Sequence, residues 1–266
     1  MYEISGFTKR TTTPGFNEET ALFEFDKVLK LMTDLNRYHS GFNDLSHLSD
    51  QVKVRGEELA EYLLTTDEPD PGILEEWDRL EADTNRISLH ENPRTVFNSI
   101  WKQNKDLNAE FGTKLLNITA KSNAERGVEL TRSIDFDGNS PPLVKLSLPM
   151  SDSSDYWYQS ASTTRELMFA MMEIWDFKWI VARPSMYQGM NKHLFSDRVT
   201  FGWMGWTSDQ FGYSGDALSL VEPTRDGSFM LLQERMMTLK KPDVEACNQA
   251  ESALLDQGVL SLISEI

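Results

Sequence analysis

The chain has few of the residues that build metal centres and disulfides. Its 266 residues include one cysteine, Cys247, and four histidines, His39, His47, His90 and His193. A single cysteine excludes an internal disulfide and a cysteine-rich metal site. The histidines show neither the HxxxH nor the HExxH spacing of zinc ligands. We therefore predict no metal and no cofactor, and we interpret Cys247 as a small buried residue of a C-terminal helix.

Long apolar runs and the short motifs of common enzyme classes are also missing. No segment approaches the roughly 18 consecutive apolar residues that a membrane helix needs, and the opening MYEISGFTKR lacks the apolar core of a secretory signal. The chain contains no G-x-S-x-G, no G-x-G-x-x-G and no Walker loop. We therefore expect a cytoplasmic protein that is not an enzyme and does not associate with membranes.

Positive charge is scarce. The 26 Lys and Arg residues stand against 42 Asp and Glu residues, which gives a formal net charge of −16. Because nucleic acids require Lys and Arg to neutralise their phosphates, this surplus disfavours nucleic-acid binding. An aromatic fraction of 11% and an apolar fraction of 39% are typical of a folded globular protein.

The surplus of acids is concentrated in residues 57–83, the acidic run, where eleven carboxylates accompany one base, Arg79. In one interpretation the run is a solvated helical face that keeps the protein soluble. In the other it is a surface complementary to a basic protein partner. Under the second interpretation we assign eight of its carboxylates to partner binding. They are Glu57, Glu58, Glu61, Asp67, Glu68, Asp70, Glu75 and Glu76.

Helices are predicted for much of the first third of the chain. A Thr-rich segment, residues 2–13, precedes them and is predicted as an edge strand. Asn17 caps the first helix, and two shorter helices follow within the acidic run, the later one with Pro71 at its first position. The apolar positions of the first helix recur at helical spacing and are predicted to face the core. They are Leu22, Phe25, Leu29, Met32 and Leu35.

From Arg86 onward the apolar period shifts toward two, which predicts a succession of strands. The predicted strands are residues 87–89, 96–101, 115–120, 128–134, 143–148, 179–183 and 199–206. Helices over 163–176 and 243–258 and a hairpin around Asp226 complete the pattern. Because short connections join antiparallel strands, we predict an α+β fold: a mostly antiparallel sheet with helices packed on one face, in one domain spanning residues 1–266.

Several short motifs follow one another between Leu146 and Gly227. They are LSLP at 146–149, W-D-x-x-W at 175–179, Gly202-Trp203, and V-E-P-x-x-D-G at 221–227. In this order they resemble the bacterial immunity protein 52 family, and the similarity extends loosely to the N-terminal amphipathic helix. The resemblance implies an immunity protein that neutralises a polymorphic toxin of the restriction-endonuclease-like type, delivered by interbacterial competition systems such as type VI secretion.

Asp176-Phe177-Lys178 matches the D-x-K end of a metal-dependent nuclease site, in which carboxylates hold Mg²⁺ and a lysine lies near the attacked phosphate. Three residues of this kind often occur together by chance, and the acidic charge of the chain disfavours a DNA-cleaving surface. We therefore interpret Asp176 as the end of a helix, and Trp175 and Trp179 as core anchors.

Aromatic residues in polar loops form a second candidate surface for a partner. Tyr156, Trp157, Phe211 and Tyr213 lie in segments that contain Ser and Gly. Such residues either cover the edge of the core or anchor an interface, since Tyr and Trp combine a large area with few rotatable bonds. We assign these four residues to the partner-binding set together with the acidic run.

Three functions are compatible with this sequence. The favoured one is an immunity protein that binds a cognate nuclease toxin and occludes it, because carboxylates can occupy a basic groove in place of phosphates. The first alternative is an enzyme with a Trp-lined acidic pocket, which convergent carboxylates of shifted pKa would support. The second alternative is a secretion-system effector adaptor or chaperone, which binds an effector without abolishing its activity.

Overall fold

A computed structural model describes residues 2–9, 15–38, 45–48, 58–59, 61–62, 65–66, 70–73, 86–122, 128–149 and 157–266. Within these ranges ten strands form one sheet, and all their pairings are antiparallel. The predicted α+β fold is therefore confirmed. The strands are β1 (Tyr2–Thr8), β2 (Leu45–Leu48), β3 (Arg86–Ser88), β4 (Leu115–Ser122), β5 (Glu129–Asp135), β6 (Leu143–Leu148), β7 (Phe177–Pro184), β8 (Met204–Thr207), β9 (Leu220–Thr224) and β10 (Gly227–Leu231).

The N-terminal strand lies in the middle of the sheet. The strand order is β3-β2-β4-β5-β6-β1-β7-β8-β10-β9, and Ile4 of β1 lies opposite Leu146 on one side and Ala182 on the other. The prediction of an edge strand was wrong. Strand β1 alternates only weakly because its side chains are buried on both faces of the sheet. All of its residues except Phe7 are buried.

Five α-helices have defined bounds in the described part of the chain. They are α1 (Glu18–Leu35), α2 (Pro93–Phe111), α3 (Ala161–Met172), α4 (Ser185–Gly189) and α5 (Lys241–Asp256), and a short 3₁₀ helix spans Ile263–Glu265. The predicted cap of α1 is confirmed, because the Asn17 side chain accepts a hydrogen bond from Thr20 N at 2.9 Å. Among these helices none combines the length and the apolar character that a bilayer crossing requires.

Helix α2 replaces the strand predicted for residues 96–101. Pro93 stands in its first turn, and Gly112 ends it with a left-handed φ of 64°. The helical period is hard to see in the sequence, because the buried face continues with Asn104 and Asn108 instead of apolar residues. These two side chains bond backbone groups of β4 at Leu115 and Asn117, and so dock the helix on the sheet.

Two further boundaries differ from the predictions. Helix α3 ends at Met172, before the predicted end at Asp176. Strand β8 begins at Met204, because the backbone N–H groups of Val199 and Phe201 bond Ser261 O and the Glu251 carboxylate instead of a neighbouring strand. The predicted hairpin is confirmed: Gly227 pairs with Thr224, which leaves a two-residue turn between β9 and β10.

The two faces of the sheet are covered differently. Helices α1, α2 and α3 pack on one face, where the strands present apolar side chains such as Ile4, Leu146 and Leu130. On the other face, residues 198–203, the crossing segment, run over β7 and β8, and α5 contacts this segment from outside. Strands β4, β5 and β6 alternate buried and half-exposed or exposed residues along most of their length, so this part of the other face, the open face, is accessible to solvent.

Candidate functional site

The acidic run lies in the sequence between β2 and β3, which pair with each other at one edge of the sheet. Of its eight predicted partner contacts, Glu58, Glu61 and Asp70 are described, and all three are exposed. Asp70 Oδ1 also accepts a hydrogen bond from Gly72 N at 2.7 Å, at the start of the helical residues 71–73. The other five predicted contacts lie outside the described residues. They are Glu57, Asp67, Glu68, Glu75 and Glu76.

The predicted aromatic anchors do not form one patch. Trp157, Phe211 and Tyr213 are half-buried and pack against the hydrophobic core, while Tyr156 lies outside the described residues. Trp157 contacts Tyr158, which packs near the first residue of β1. Phe211 lies at the other end of the central strands, since it bonds the Ser228 hydroxyl at the start of β10.

The edge strand β2, which precedes the acidic run in the chain, is far from the loop of Phe211. Six strand-to-strand steps separate β2 from β8 in the sheet order, and at about 4.8 Å for each step this amounts to roughly 30 Å. Trp157 lies at neither edge, because the neighbouring Tyr158 packs near β1 in the middle of the sheet. The described aromatic residues cover the edge of the core, and the described carboxylates face solvent.

Asp176 and Lys178 do not converge on a common site. The Asp176 carboxylate pairs with Lys9 Nζ at 2.9 Å, and Lys178 Nζ pairs with Asp209 Oδ1 at 3.1 Å. Buried Phe177 separates the two pairs. Within the described residues no group of three or more His, Cys, Asp or Glu side chains could hold a metal ion.

The motif tryptophans have structural roles. The indole N–H groups of Trp175, Trp179 and Trp203 donate to the Glu24 carboxylate, Thr200 O and Gln233 O at 3.1, 3.1 and 2.7 Å. The prediction that Trp175 and Trp179 anchor the core is confirmed by their exposures of 3% and 2%. The motif residues thus hold elements of the fold together and offer no reactive group.

Two motif glycines permit close backbone contacts. A Cβ atom on Gly202 would lie 2.6 Å from the Arg183 Cβ and 2.7 Å from Ala182 O. One on Gly227 would collide with Thr207 O. Glycine is therefore required where the crossing segment passes over β7 and where β10 passes β8.

A cleft of about 300 Å³ opens at the boundary between the open face and the covered part of the sheet. Strands β6, β1 and β7 form its floor, while α4, the crossing segment and the 3₁₀ helix form its walls. Its polar lining brings together residues that are distant in the sequence. They are Glu3, Ser5, Lys145, Arg183, Gln188, Arg198 and Thr200.

Arg183 is the centre of the polar network in this cleft. Its Nε donates to Glu3 Oε1 at 3.0 Å, and its Nη2 donates to Gln188 Oε1 at 2.7 Å. Its Nη1 donates to the Thr200 hydroxyl, and the Ser5 hydroxyl donates to Glu3. Arg183 is only 7% exposed, so these bonds offset the desolvation of a buried charge and join β1, β7, α4 and the crossing segment.

The cleft is cationic although the protein is acidic. Lys145, Arg183 and Arg198 contribute three positive charges and Glu3 one negative charge, which leaves a formal +2 among the lining residues, against −16 for the whole chain. No local motif of the sequence contains this cluster, so it was not predicted. The available signal was a charged residue, Arg183, in the otherwise apolar segment WIVAR.

Carboxylates with shifted pKa values lie elsewhere. Burial raises the pKa of Glu251, although hydrogen bonds from Leu194 N and Phe201 N oppose the shift. The hydrogen bond from Arg235 lowers the pKa of Asp243 far below its usual range. The pKa of Glu24 is also shifted: burial raises it, but Arg132 and Lys27 lower it by more. None of Glu24, Asp243 and Glu251 lines the cleft. In the described part of the chain, the cleft thus lacks the convergent carboxylates that would have supported an acidic enzyme pocket.

The fold and the cleft define an α+β protein built on a central antiparallel sheet, with one partly open sheet face. No protein-family model matches the chain, and no curated protein matches it either. The resemblance to the immunity protein 52 family therefore stays a prediction from the motifs.

Proposed function

We propose that this protein is a cytoplasmic immunity protein, which binds a nuclease-type antibacterial toxin and inactivates it by occlusion. The main support is the exposure of Glu58, Glu61 and Asp70 in the acidic run, which connects the paired strands β2 and β3 in the sequence. The nuclease class of the toxin comes from the motif resemblance. A formal charge of −16 agrees with a basic partner.

Occlusion would block the groove in which the toxin binds its nucleic-acid substrate. A nuclease holds phosphates with Lys and Arg in a groove, so carboxylates exposed on another protein can occupy the same groove. Attraction between the two surfaces accelerates association and weakens as salt is added. The described carboxylates of the acidic run are exposed, so they can meet a partner without rearrangement of the core.

The chemistry of the cleft favours this function over an enzyme with an acidic pocket. Trp179 lines the cleft, as that alternative requires, but the cleft's charged residues are mainly cations. The three carboxylates with shifted pKa values are bonded within the fold at other places. The adaptor alternative makes the same contacts with an effector and differs only in its consequence, so an activity assay has to separate the two.

The test first asks whether a nuclease toxin is encoded beside this gene and then pairs that toxin with this protein. Co-expression should restore growth, the two proteins should co-purify, and plasmid DNA should stay intact when it is incubated with the purified complex and Mg²⁺. A complex that still cleaves the plasmid would establish the adaptor function instead. Absence of both a complex and growth rescue would refute the proposal.

A further inference from the structure

Two cations of the cleft are available for an external ligand. Lys145 is half-exposed on β6, and its side-chain ammonium group makes no ion pair or hydrogen bond with any described residue. Arg198 uses Nη1 to donate to Leu260 O at 2.7 Å, and no described residue accepts from its other donors. Unpaired cations that converge on a concave site attract an anion, because the partly desolvated walls screen charge less than bulk water does.

The remaining polar groups form a fixed wall beside these cations. The charge of Arg183 is balanced by Glu3, so this ion pair makes the wall rigid without adding net charge. The formal surplus of +2 therefore belongs to Lys145 and Arg198. The Thr200 hydroxyl accepts from Arg183, which leaves its own hydrogen free to donate into the cleft. A carboxylate carries a single negative charge and would balance only half of this surplus. A phosphate monoester offers three acceptor oxygens and carries about −1.5 to −2 charge at neutral pH.

Much of the remaining lining is apolar. Phe7, Val181, Trp179 and Ile263 line the cleft together with the charged residues. A volume of about 300 Å³ lies at the lower end of the range for small-molecule pockets, which are typically apolar with a few convergent polar groups. The ligand that satisfies both parts of the lining has a phosphate at one end and a small apolar or aromatic group at the other.

We infer that this cleft is a binding site for a small organic phosphate monoester, held by Lys145, Arg198 and the Thr200 hydroxyl. The inference does not depend on the proposed immunity function, since the cleft lies on the central strands and none of its lining residues belongs to the acidic run. Ligand binding would also stabilise the crossing segment, because Arg198 and Thr200 belong to it.

The test is a titration of the purified full chain with phenyl phosphate, followed by calorimetry and by the fluorescence of tryptophan, since Trp179 lines the cleft. Inorganic phosphate, benzoate and benzyl alcohol serve as comparison probes. We expect phenyl phosphate to bind more tightly than all three, because only it carries both the phosphate and the apolar group. No binding of phenyl phosphate at millimolar concentration, or equal binding of any comparison probe, would overturn the inference.

Substitutions then locate the site. Lys145→Gln should weaken phenyl phosphate binding roughly ten-fold or more, the range expected for the loss of a charge-assisted hydrogen bond, and Lys145→Glu should abolish it. The matched control is Lys121→Gln, which removes a cation of β4 that pairs with Glu129 and does not line the cleft. Equal losses in Lys121→Gln and Lys145→Gln would show a general charge effect and overturn the assignment. Growth rescue by these variants reports separately on the immunity function.

Discussion

Glu24 of α1 and Arg132 of β5 form a buried ion pair, with Arg132 Nε 2.7 Å from Glu24 Oε2 and both side chains 5% exposed. Trp175 Nε1 donates to the same oxygen at 3.1 Å, and Lys27 Nζ donates to the other at 2.9 Å. The pair therefore ties the first helix to the sheet and to the segment that follows α3. Both Glu24 oxygens accept hydrogen bonds, and Arg132 Nη1 also donates to the Thr8 hydroxyl and Leu143 O. Such additional bonds offset the desolvation of a buried pair.

Removing one partner of this pair should destabilise the protein strongly. We predict that Glu24→Gln lowers the free energy of unfolding by about 3 to 5 kcal/mol, because the Arg132 guanidinium then stays buried without a counter-charge. Urea unfolding followed by circular dichroism measures the change. The control Glu19→Gln alters an exposed glutamate of the same helix and should have little effect. A loss below about 1 kcal/mol in Glu24→Gln would contradict this account.

The same carboxylate should govern part of the acid stability. Burial alone would raise the pKa of Glu24, but the charges and hydrogen bonds of Arg132 and Lys27 outweigh it and hold the pKa below its usual value of 4.5. A depressed folded pKa means that the stabilisation is present above about pH 4.5 and is lost as the pH falls through the folded value. The gap in stability between wild type and Glu24→Gln should therefore narrow below pH 4.5, which unfolding curves at several pH values will show.

The stability that Glu251 contributes should change with pH in the opposite direction. Burial raises its pKa, so the wild type loses stability as the pH rises through the folded value, when a buried carboxyl must ionise. We predict that Glu251→Gln is destabilised at low pH by the loss of one acceptor, and that this deficit shrinks as the pH rises. A deficit that does not change with pH would show that Glu251 has the same protonation state throughout.

Gly227 should be irreplaceable for steric reasons. A Cβ atom there would collide with Thr207 O in the neighbouring strand β8, so Gly227→Ala should force β10 away from β8 and cost about 1 to 3 kcal/mol or more. Gly189→Ala is the matched control, because a Cβ atom on Gly189 meets nothing within 4 Å. Thermal unfolding of the two variants compares them directly. Equal melting temperatures would mean that the strands adjust freely.

The acidic run should control the rate at which the toxin associates. We predict that Glu58→Gln with Glu61→Gln slows association with the cognate toxin about three-fold or more at low ionic strength, and that the difference disappears near 1 M salt. The control variant, Asp216→Asn with Glu234→Gln, removes two exposed carboxylates elsewhere on the surface. It has the same net charge as the first double variant. Stopped-flow measurements across salt concentrations compare the two. Identical rates would show that Glu58 and Glu61 contribute to solubility and not to association with the toxin.

The sequence by itself determined the features that depend on neighbouring residues. The Asn17 cap, the two-residue turn between Thr224 and Gly227, and the period-two strands β4, β5 and β6 all follow from local hydrogen bonding and side-chain alternation. The burial of Trp175 and Trp179 was also predictable, because large aromatic side chains next to apolar strands need a core to cover them.

Only the tertiary structure decided which distant residues meet. It placed β1 between β6 and β7, although its weak alternation favoured an edge, because burial on both faces removes the period. Residues 96–101 also belong to a helix, α2, and the buried face of this helix continues with asparagines that bond β4. The cleft depends on the same long-range pairing. Glu3 and Arg183 are 180 positions apart, and no local pattern can indicate a contact that forms only when the central strands align.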